Sequence, residues 1–353
     1  MAEKENQGEK MTTMGNEVTN MVMPKKKTRN YAFDIIKGIG ILLVLFGHVY
    51  PPVPYVSHFL KSFRMPLFFI VAGYFSKSYS QEYPVWANVK HYASRLIPPF
   101  LATSVITILW FVAWGGVKHD WSASLRELVS MFWADTTSLP TPWGNAYIGV
   151  TWFLLALFWA KAILLFLTQW EKWVLPISFL LSIAALLIHG IFPYSVWCFS
   201  LGLVCLPFVA IGWWCRNNKI PMWLKLVAVL AWIAAIIFSK IDIYSYSFGC
   251  YPLDVVGACG GTYVFYLLSK LVYKLDGNKW LRWLPKAFIY LGEISLAIMC
   301  VHCFEISSHF GNHLKALLGL EFSHWGMYVW RYGLTIAIAA IIVKLPFFKK
   351  IFG

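Results

Sequence analysis

A lysine and a histidine share one face of the first apolar segment of the chain. Lys37 and His48 lie eleven residues apart in YAFDIIKGIGILLVLFGHVY, and Asp34 precedes them on nearly the same line. In an α-helix this spacing is about three turns, so the two side chains would lie roughly 16 Å apart along the axis. Ionisable side chains inside a bilayer are costly and usually have a function. The segment therefore predicts a cation near one membrane surface and an imidazole near the other.

His48 is the residue best suited to acid–base or nucleophilic chemistry. An imidazole titrates near neutral pH, so it can act as a general base or as a nucleophile. An interfacial histidine without a catalytic role is the alternative, and the alignment with Lys37 favours the functional interpretation. Lys37 could contact an anionic cosubstrate, or it could pair with Asp34 and snorkel to the nearer surface.

A second histidine lies in a later apolar segment. Ser295 and His302 are seven residues apart, which places them on one helix face, and Glu305 follows one turn later. These residues could be a packed polar cluster. They could also supply a second acid–base group near the end of the bundle that holds His48.

Composition places these segments in a lipid bilayer. Hydrophobic residues make up 59% of the chain and charged residues 13%, against about 25% charged residues in soluble domains. The 353 residues allow about ten spans of roughly 20 residues each. We therefore predict an all-α integral membrane protein, a polytopic bundle of ten transmembrane helices in one domain over residues 31–348. The predicted spans cover residues 33–52, 58–76, 96–115, 146–168, 173–189, 194–214, 222–239, 251–272, 286–306 and 328–346.

Loop charges predict the orientation. Residues 1–30 read as a disordered basic tail, and Lys and Arg are concentrated in the loops on the same side of the membrane as that tail. The positive-inside rule then predicts cytoplasmic N- and C-termini, with His48 toward the outer surface. Lys61 and Arg64 are exceptions on the outer side, which favours a role in holding an acceptor or a developing oxyanion. Arg95, at the cytoplasmic start of the third span, is a topology signal or a phosphate-binding group.

Two classes of site are not predicted. The net charge of +14 resides in loops at the ends of spans, without a recognition-helix or zinc-finger pattern, so no nucleic acid partner is expected. The seven cysteines lie mostly in apolar runs without paired CxxC spacing, so neither a disulfide framework nor a metal site is expected.

Five sequence motifs together resemble the acyltransferase-3 family of integral membrane acyltransferases, in particular its branch similar to fucose O-acetylases. They are a cation, ten intervening residues and then His in the first span, FRMPLFFIVAGYF, RLIPPF, TWFLLALF and LGEISLAIMCVH. The resemblance covers residues 31–346. The first two motifs are fairly specific in combination, and the others are supportive.

The resemblance implies transfer of an acetyl or longer acyl group from acetyl-CoA to a hydroxyl of an envelope carbohydrate, a polysaccharide or a lipid-linked glycan. It implies a protein of a bacterial inner or plasma membrane, and a reaction without a metal. On this basis His48 and His302 are the catalytic candidates. Lys61, Arg64 and Ser295 are the acceptor-binding candidates.

Lys37 and Arg95 are the expected contacts of the acyl donor. Many members of the family carry an Arg-x-x-Arg pair at the third span. Arg95 matches its second arginine, whereas Tyr92 stands at the first, so that Lys90 or His91 could substitute.

Two other functions stay open at this point. A secondary transporter of a sugar or lipid intermediate would also place Asp, Lys and His inside the membrane. No pair of Gly- or Pro-broken helices in matching halves supports it. A non-catalytic scaffold is the third possibility, and it would tolerate loss of His48.

Overall fold

The computed structural model describes residues 29–49, 54–80 and 84–352, which are almost entirely helical. Residues 1–28 of the predicted tail and residues 50–52 at the end of the first predicted span lie outside these ranges. The α-helices are α1 (Ala32–Val49), α2 (Pro54–Tyr74), α3 (Val85–Lys118), α4 (Ser122–Trp133), α5 (Trp152–Leu167), α6 (Val174–Ile191), α7 (Phe199–Asn217), α8 (Met222–Phe238), α9 (Tyr251–Lys274), α10 (Trp283–Glu293), α11 (Ser295–Ser308), α12 (Phe310–Leu317), α13 (His324–Ile342) and α14 (Pro346–Phe352).

Short elements complete the connections between the helices. Three 3₁₀ helices cover Thr168–Trp173, Ile243–Ser245 and Leu275–Gly277. A small antiparallel hairpin pairs β1 (Leu139–Thr141) with β2 (Gly144–Ala146). Together with α4, this hairpin occupies much of the long connection between α3 and α5.

The prediction of an all-α membrane bundle is confirmed, and each predicted span coincides with a helix or, at residues 286–306, with the bent pair α10–α11. By length and composition alone, five helical stretches in the described ranges could cross a membrane, or six if the bent pair counts as one span. One of the five is the 40-residue stretch from α5 to α6, which the sequence analysis divided into two spans.

The third span starts earlier than its hydropathy suggested. Helix α3 begins at Val85, so Arg95 lies three turns inside the helix rather than at its start. The two prolines that follow, Pro98 and Pro99, remain within the helix. The Thr103 hydroxyl donates to the Pro99 carbonyl at 2.8 Å, and side chains of this kind help a membrane helix to tolerate proline.

Helix α1 is the central helix of the bundle and packs against α2, α9, α10 and α11. Its side chains Ile35, Ile36, Ile41 and Val44 have no solvent-exposed surface. A helix that is apolar on all sides belongs in the interior, and in α1 only the two ends carry polar groups. We call these ends of the bundle the Lys37 side, where α1 begins, and the His48 side, where it ends.

Glycines bring the backbones of several helices into direct contact. A Cβ atom at Gly38 of α1 would overlap the Phe288 carbonyl of α10, and one at Gly292 of α10 would overlap the Asp34 carbonyl of α1. Small residues are the usual means of close helix packing in membranes, where no hydrophobic effect drives association. This contact fixes α1 against the bent pair α10–α11, which carries the second candidate histidine.

Candidate active site

His48 lies in the last turn of α1 and opens onto a cavity of about 450 Å³ on the His48 side. The ring is solvent-exposed within this cavity. The cavity walls come from α1, α2, α5, α11 and the two connections at residues 134–151 and 239–250. The sequence-predicted residues Lys61 and Arg64 of α2 also line it. Three candidates from two helices are therefore gathered around one space.

Arg64 is held between α1 and α2 and is only 7% exposed. Its Nη1 donates to the Leu43 carbonyl at 3.4 Å, and its guanidinium lies so close to Gly47 that a Cβ there would overlap it. Within the described ranges its Nε is buried without a hydrogen-bond partner. A buried guanidinium with an unused donor beside a cavity is suited to an anionic or developing negative group.

Lys61 forms an ion pair with Asp242, which lies in the connection between α8 and α9. Its Nζ lies 2.6 Å from Asp242 Oδ2, and both side chains remain about one-third exposed, at 38% and 32%. Asp242 also pairs with Ser247 through its backbone, which closes a tight turn. The sequence analysis did not single out Asp242, because its place in a polar turn gave no sign that it faces α2.

His302 lies directly behind His48. The two imidazole ring centroids are 5.3 Å apart. His302 is 1% exposed, and its Nε2 is buried without a hydrogen-bond partner in the part of the chain that the structure describes. The structure thus brings together the two histidines that the sequence offered separately, in the first and ninth predicted spans.

Glu305 is not available as a free acid. Its carboxylate accepts two hydrogen bonds of 2.7 Å from Arg331 Nε and Nη2 of α13, and its residue is 2% exposed. A bidentate arginine–carboxylate pair of this kind satisfies both partners. The pair lies one turn beyond His302 and connects α11 to α13.

Ser295 is placed apart from the cavity. It starts α11 at the 67° bend between α10 and α11, and its hydroxyl donates to the Gly292 carbonyl at 2.9 Å. Seven residues separate it from His302, which is about 10 Å of helix. The described contacts of Ser295 therefore belong to the bend.

The predicted donor contacts lie at the opposite end of the bundle. Lys37 Nζ is 2.9 Å from Asp34 Oδ1, with 30% of the lysine side chain exposed, and Arg95 is exposed on α3. Neither lines the His48 cavity. The ion pair of Lys37 matches one of the two alternatives given by its sequence.

A lysine of α5 lies beside the position where the family pattern would place an arginine. The Nζ of Lys161 is 4.3 Å from the ring centroid of Tyr92, a cation–π contact. The sequence alone does not reveal this contact of Lys161, because nothing in a single apolar segment indicates which neighbouring helix a side chain will meet.

Aromatic side chains form the rim of the His48 cavity. Tyr147 is 51% exposed, Tyr244 is half-buried on the 3₁₀ helix Ile243–Ser245, and Trp152 begins α5. All three line the cavity. Flat aromatic faces beside polar groups suit a ligand that has both apolar and hydrogen-bonding surfaces.

The buried residue Asp135 contacts three of the connections between helices on the His48 side. Asp135 has no exposed surface; its Oδ2 accepts from the Ser195 N–H at 3.2 Å, and its carbonyl accepts from the Ile148 N–H at 2.9 Å. The Tyr246 hydroxyl lies 3.5 Å from Oδ1. Burial raises the pKa of the Asp135 carboxyl, opposed by the backbone donors. Asp135 therefore links the connection between α4 and α5 to those between α6 and α7 and between α8 and α9.

No group of three or more His, Cys, Asp and Glu side chains in the described ranges could hold a metal ion.

A family profile described as an acyltransferase domain matches residues 30–344. A nodulation protein, NolL of Mesorhizobium japonicum, is 27% identical over 225 residues, which cover 59% of this chain and 55% of that protein. The chain thus spans about half the length of this relative. No solved structure matches.

Proposed function

Because the chain belongs to the acyltransferase-3 family of membrane acyltransferases, we propose that it transfers an acetyl group from acetyl-CoA to a hydroxyl group of an envelope carbohydrate. The observation that carries this proposal is the cavity in which His48 meets Arg64 and the Lys61–Asp242 pair. It combines a proton acceptor, a buried cation and groups that can hold a polyhydroxylated acceptor.

His48 is the proposed general base. It takes the proton of the acceptor hydroxyl as the hydroxyl oxygen attacks the thioester carbonyl carbon. The resulting tetrahedral oxyanion collapses, the carbon–sulfur bond breaks, and the departing thiolate of CoA receives the proton from the imidazolium. In the alternative route, the imidazole nitrogen of His48 attacks the thioester and CoA leaves as the thiolate. The acceptor hydroxyl then takes the acyl group from the acyl-imidazole, which restores His48.

Arg64 is the proposed oxyanion stabiliser. Its guanidinium is buried and positioned by the Leu43 carbonyl and by the space at Gly47. A donor that is already in place when negative charge develops stabilises the transition state more than the ground state. Removal of one such donor typically costs about 10²–10³ in kcat.

His302 is the proposed support of His48. Its ring lies 5.3 Å from that of His48, centroid to centroid, in a buried position. The buried Glu305–Arg331 pair holds the segment of α11 on which it lies. A ring held in this way restricts the orientation of its neighbour, and orientation of the base is a requirement for efficient proton transfer.

A carbohydrate is the proposed acceptor because of the combination of groups around the cavity. The Lys61–Asp242 pair offers an ammonium donor and carboxylate acceptors to sugar hydroxyls. Tyr147, Tyr244 and Trp152 offer aromatic faces to the apolar face of a sugar ring. The outer orientation that the loop charges predict for this cavity would expose it to envelope glycans.

The donor is proposed to bind from the cytoplasmic, Lys37 side. Lys37 and Arg95 are the cations expected from the family pattern, and Lys161, beside Tyr92, is a third. The phosphates of CoA require such cations. The pantetheine arm would then extend into the bundle, so that the intact thioester reaches His48.

Transfer of radiolabelled acetyl from acetyl-CoA in membranes that contain the protein tests this proposal. We expect label in the envelope glycan with the wild type and with His119→Asn, an exposed histidine that ends α3 at φ 53°, and a loss of at least 10²-fold with His48→Ala. Equal labelling by His48→Ala would remove His48 from the reaction and shift the search to His302. No labelling by wild-type protein at matched expression would refute the donor–acceptor pair and favour a transporter.

A further inference from the structure

A second cavity lies at the Lys37 side of the same helices. It encloses about 510 Å³ between α1, α2, α6, α7, α8 and α9. Its walls are nearly all apolar, with Phe33, Ile70, Phe179 and Leu224 among them. A space of this kind in the membrane interior suits a hydrocarbon chain, because no polar group would be left unpaired there.

Aromatic rings surround one end of this cavity. The ring of Phe33 lies 4.7 Å from that of Tyr74 and 5.2 Å from that of Tyr266, centroid to centroid. Since Phe33 begins α1 and Tyr74 ends α2, this end faces the Lys37 side. The aromatic end thus lies where the bilayer interior meets the headgroup region, the usual position of aromatic belts.

A cation stands at the cavity, and another lies close by. Lys225 of α8 is half-buried, lines the cavity and lies 5.6 Å from the Tyr263 ring centroid. Arg216 follows the lining residue Cys215 and donates from Nη1 to the carbonyls of Tyr74 and Ser76 at 3.4 and 3.3 Å. In the described ranges neither Lys225 nor Arg216 forms an ion pair with a carboxylate.

We propose that this cavity binds an anionic phospholipid. An acyl chain fills the apolar space, and the phosphate lies against Lys225 and Arg216. Basic pockets between membrane helices are established sites for anionic headgroups, and a guanidinium whose Nη1 alone is engaged has further donors for phosphate oxygens. A neutral, zwitterionic headgroup would gain less from the two uncompensated positive charges.

The proposed lipid site is separate from the His48 cavity. The two cavities share no lining residue and contact opposite ends of α1 and α2. Lipid binding therefore does not depend on the proposed acyl transfer, and it can be measured without an acceptor. The same helices form walls of both cavities, so occupancy at the Lys37 side also supports the helices that hold His48 and Arg64.

Native mass spectrometry of the purified, delipidated protein tests the headgroup preference. Phosphatidylglycerol and phosphatidylcholine with identical chains are the probes, and the variants are Lys225→Gln and its control Lys219→Gln, an exposed cation that does not line the cavity. We expect the wild type and Lys219→Gln to retain more phosphatidylglycerol than phosphatidylcholine. In Lys225→Gln the ratio of the two retained lipids should fall about fivefold. Equal retention of the two lipids by the wild type would overturn the proposal.

Alkylation of native cysteines provides a second measurement without any variant. Cys215 and Cys259 line the cavity, whereas Cys250 is exposed elsewhere and serves as the internal reference. We expect phosphatidylglycerol to slow the modification of Cys215 and Cys259 by a small thiol reagent, read by peptide mass spectrometry, while Cys250 reacts unchanged. Protection by acetyl-CoA instead of the lipid would overturn the proposal and assign the cavity to the acyl donor.

Discussion

At the scale of residues, the candidate site depends on contacts between side chains from distant parts of the chain. His48, Arg64 and Lys61 belong to two consecutive helices, whereas Asp242 comes from a connection far along the sequence. The ion pair it forms with Lys61 is partly exposed, and pairs of this kind contribute about 0–1 kcal/mol to stability. Its position on the cavity wall is therefore better explained by ligand binding than by folding.

The Lys61–Asp242 pair provides a prediction at this scale. Asp242→Asn and Lys61→Gln should each raise the KM for the acceptor by about tenfold or more, because each removes a charged hydrogen-bond partner. The KM for the donor and the melting temperature should change little. The double variant should lose less than the two single effects combined, since the residues act on one ligand as a pair.

Steady-state kinetics with each substrate varied in turn checks this prediction. Lys240→Gln is the matched control, because Lys240 is an exposed cation two residues before Asp242. A loss confined to the KM of acetyl-CoA would assign the pair to the donor instead.

The candidates His48, Arg64 and Lys61 could be selected from the sequence, because an imidazole, an arginine and a lysine in apolar segments stand out by residue type alone. Asp242, Asp135 and Lys161 could not be found in this way. Each acts through a contact with another segment: Lys61 for Asp242, Ser195 and Tyr246 for Asp135, and Tyr92 for Lys161. Spacing along one helix gives no information about such partners.

At the scale of elements, glycine contacts set the positions of the helices that carry the site. A Cβ at Gly212 of α7 would overlap the Ile70 carbonyl of α2, and one at Gly73 of α2 would overlap the Val209 carbonyl of α7. Helix α2 carries both Lys61 and Arg64. The backbone contact with α7 therefore determines how far these side chains extend into the cavity.

Gly212→Ala should separate α2 from α7 and reduce the free energy of unfolding by about 1–3 kcal/mol, the usual cost of overpacking. Acyl transfer should fall further than stability alone explains, because Arg64 moves with α2. The control is Gly190→Ala in α6, where a Cβ would meet no atom within 4 Å. Replacing a helical glycine at an unobstructed position should leave stability unchanged or raise it by up to about 1 kcal/mol.

Thermal unfolding in detergent or nanodiscs, with activity measured on the same preparations, separates the two effects. Wild-type stability in Gly212→Ala would show that the helices can move apart without cost. In that case the contact between α2 and α7 would not be what positions Arg64.

Element boundaries illustrate what hydropathy could and could not provide. The apolar core of each predicted span falls within a helix, except at residues 286–306, where it falls on the bent pair α10–α11. The start of α3 at Val85 and the bend between α10 and α11 were not visible in hydropathy. Inside α3 the Thr103 hydroxyl donates to the Pro99 carbonyl, and at the bend the Ser295 hydroxyl donates to the Gly292 carbonyl.

At the scale of the whole molecule, the two ends of the bundle carry different chemistry. The His48 side carries the cavity with its aromatic rim, whereas Lys37, Arg95 and the second cavity belong to the other side. The loop charges predict that the Lys37 side faces the cytoplasm. This arrangement would suit a donor from the cytoplasm and an acceptor from outside.

Accessibility of single cysteines in intact cells tests this orientation. Cys250 is exposed on the connection that carries Asp242, whereas Ser94→Cys would place a thiol at an exposed position of α3 on the Lys37 side. In variants that retain one cysteine each, we expect a membrane-impermeant maleimide to label Cys250 in intact cells. The Ser94→Cys thiol should react only after the cells are opened. The reverse pattern would invert the orientation and place the His48 cavity in the cytoplasm.

The close packing around the middle of α1 bears on whether ions can leak through the protein. Ile41 and Val44 have no exposed surface, and Leu45 has almost none, so the two polar ends of this helix are separated by closely packed hydrocarbon. An enzyme whose two substrates come from opposite sides of an energised membrane must not let protons leak down their gradient. With the donor and acceptor on the proposed sides, these side chains would form an insulating layer, and smaller residues there would be expected to let ions leak as well as to impair catalysis.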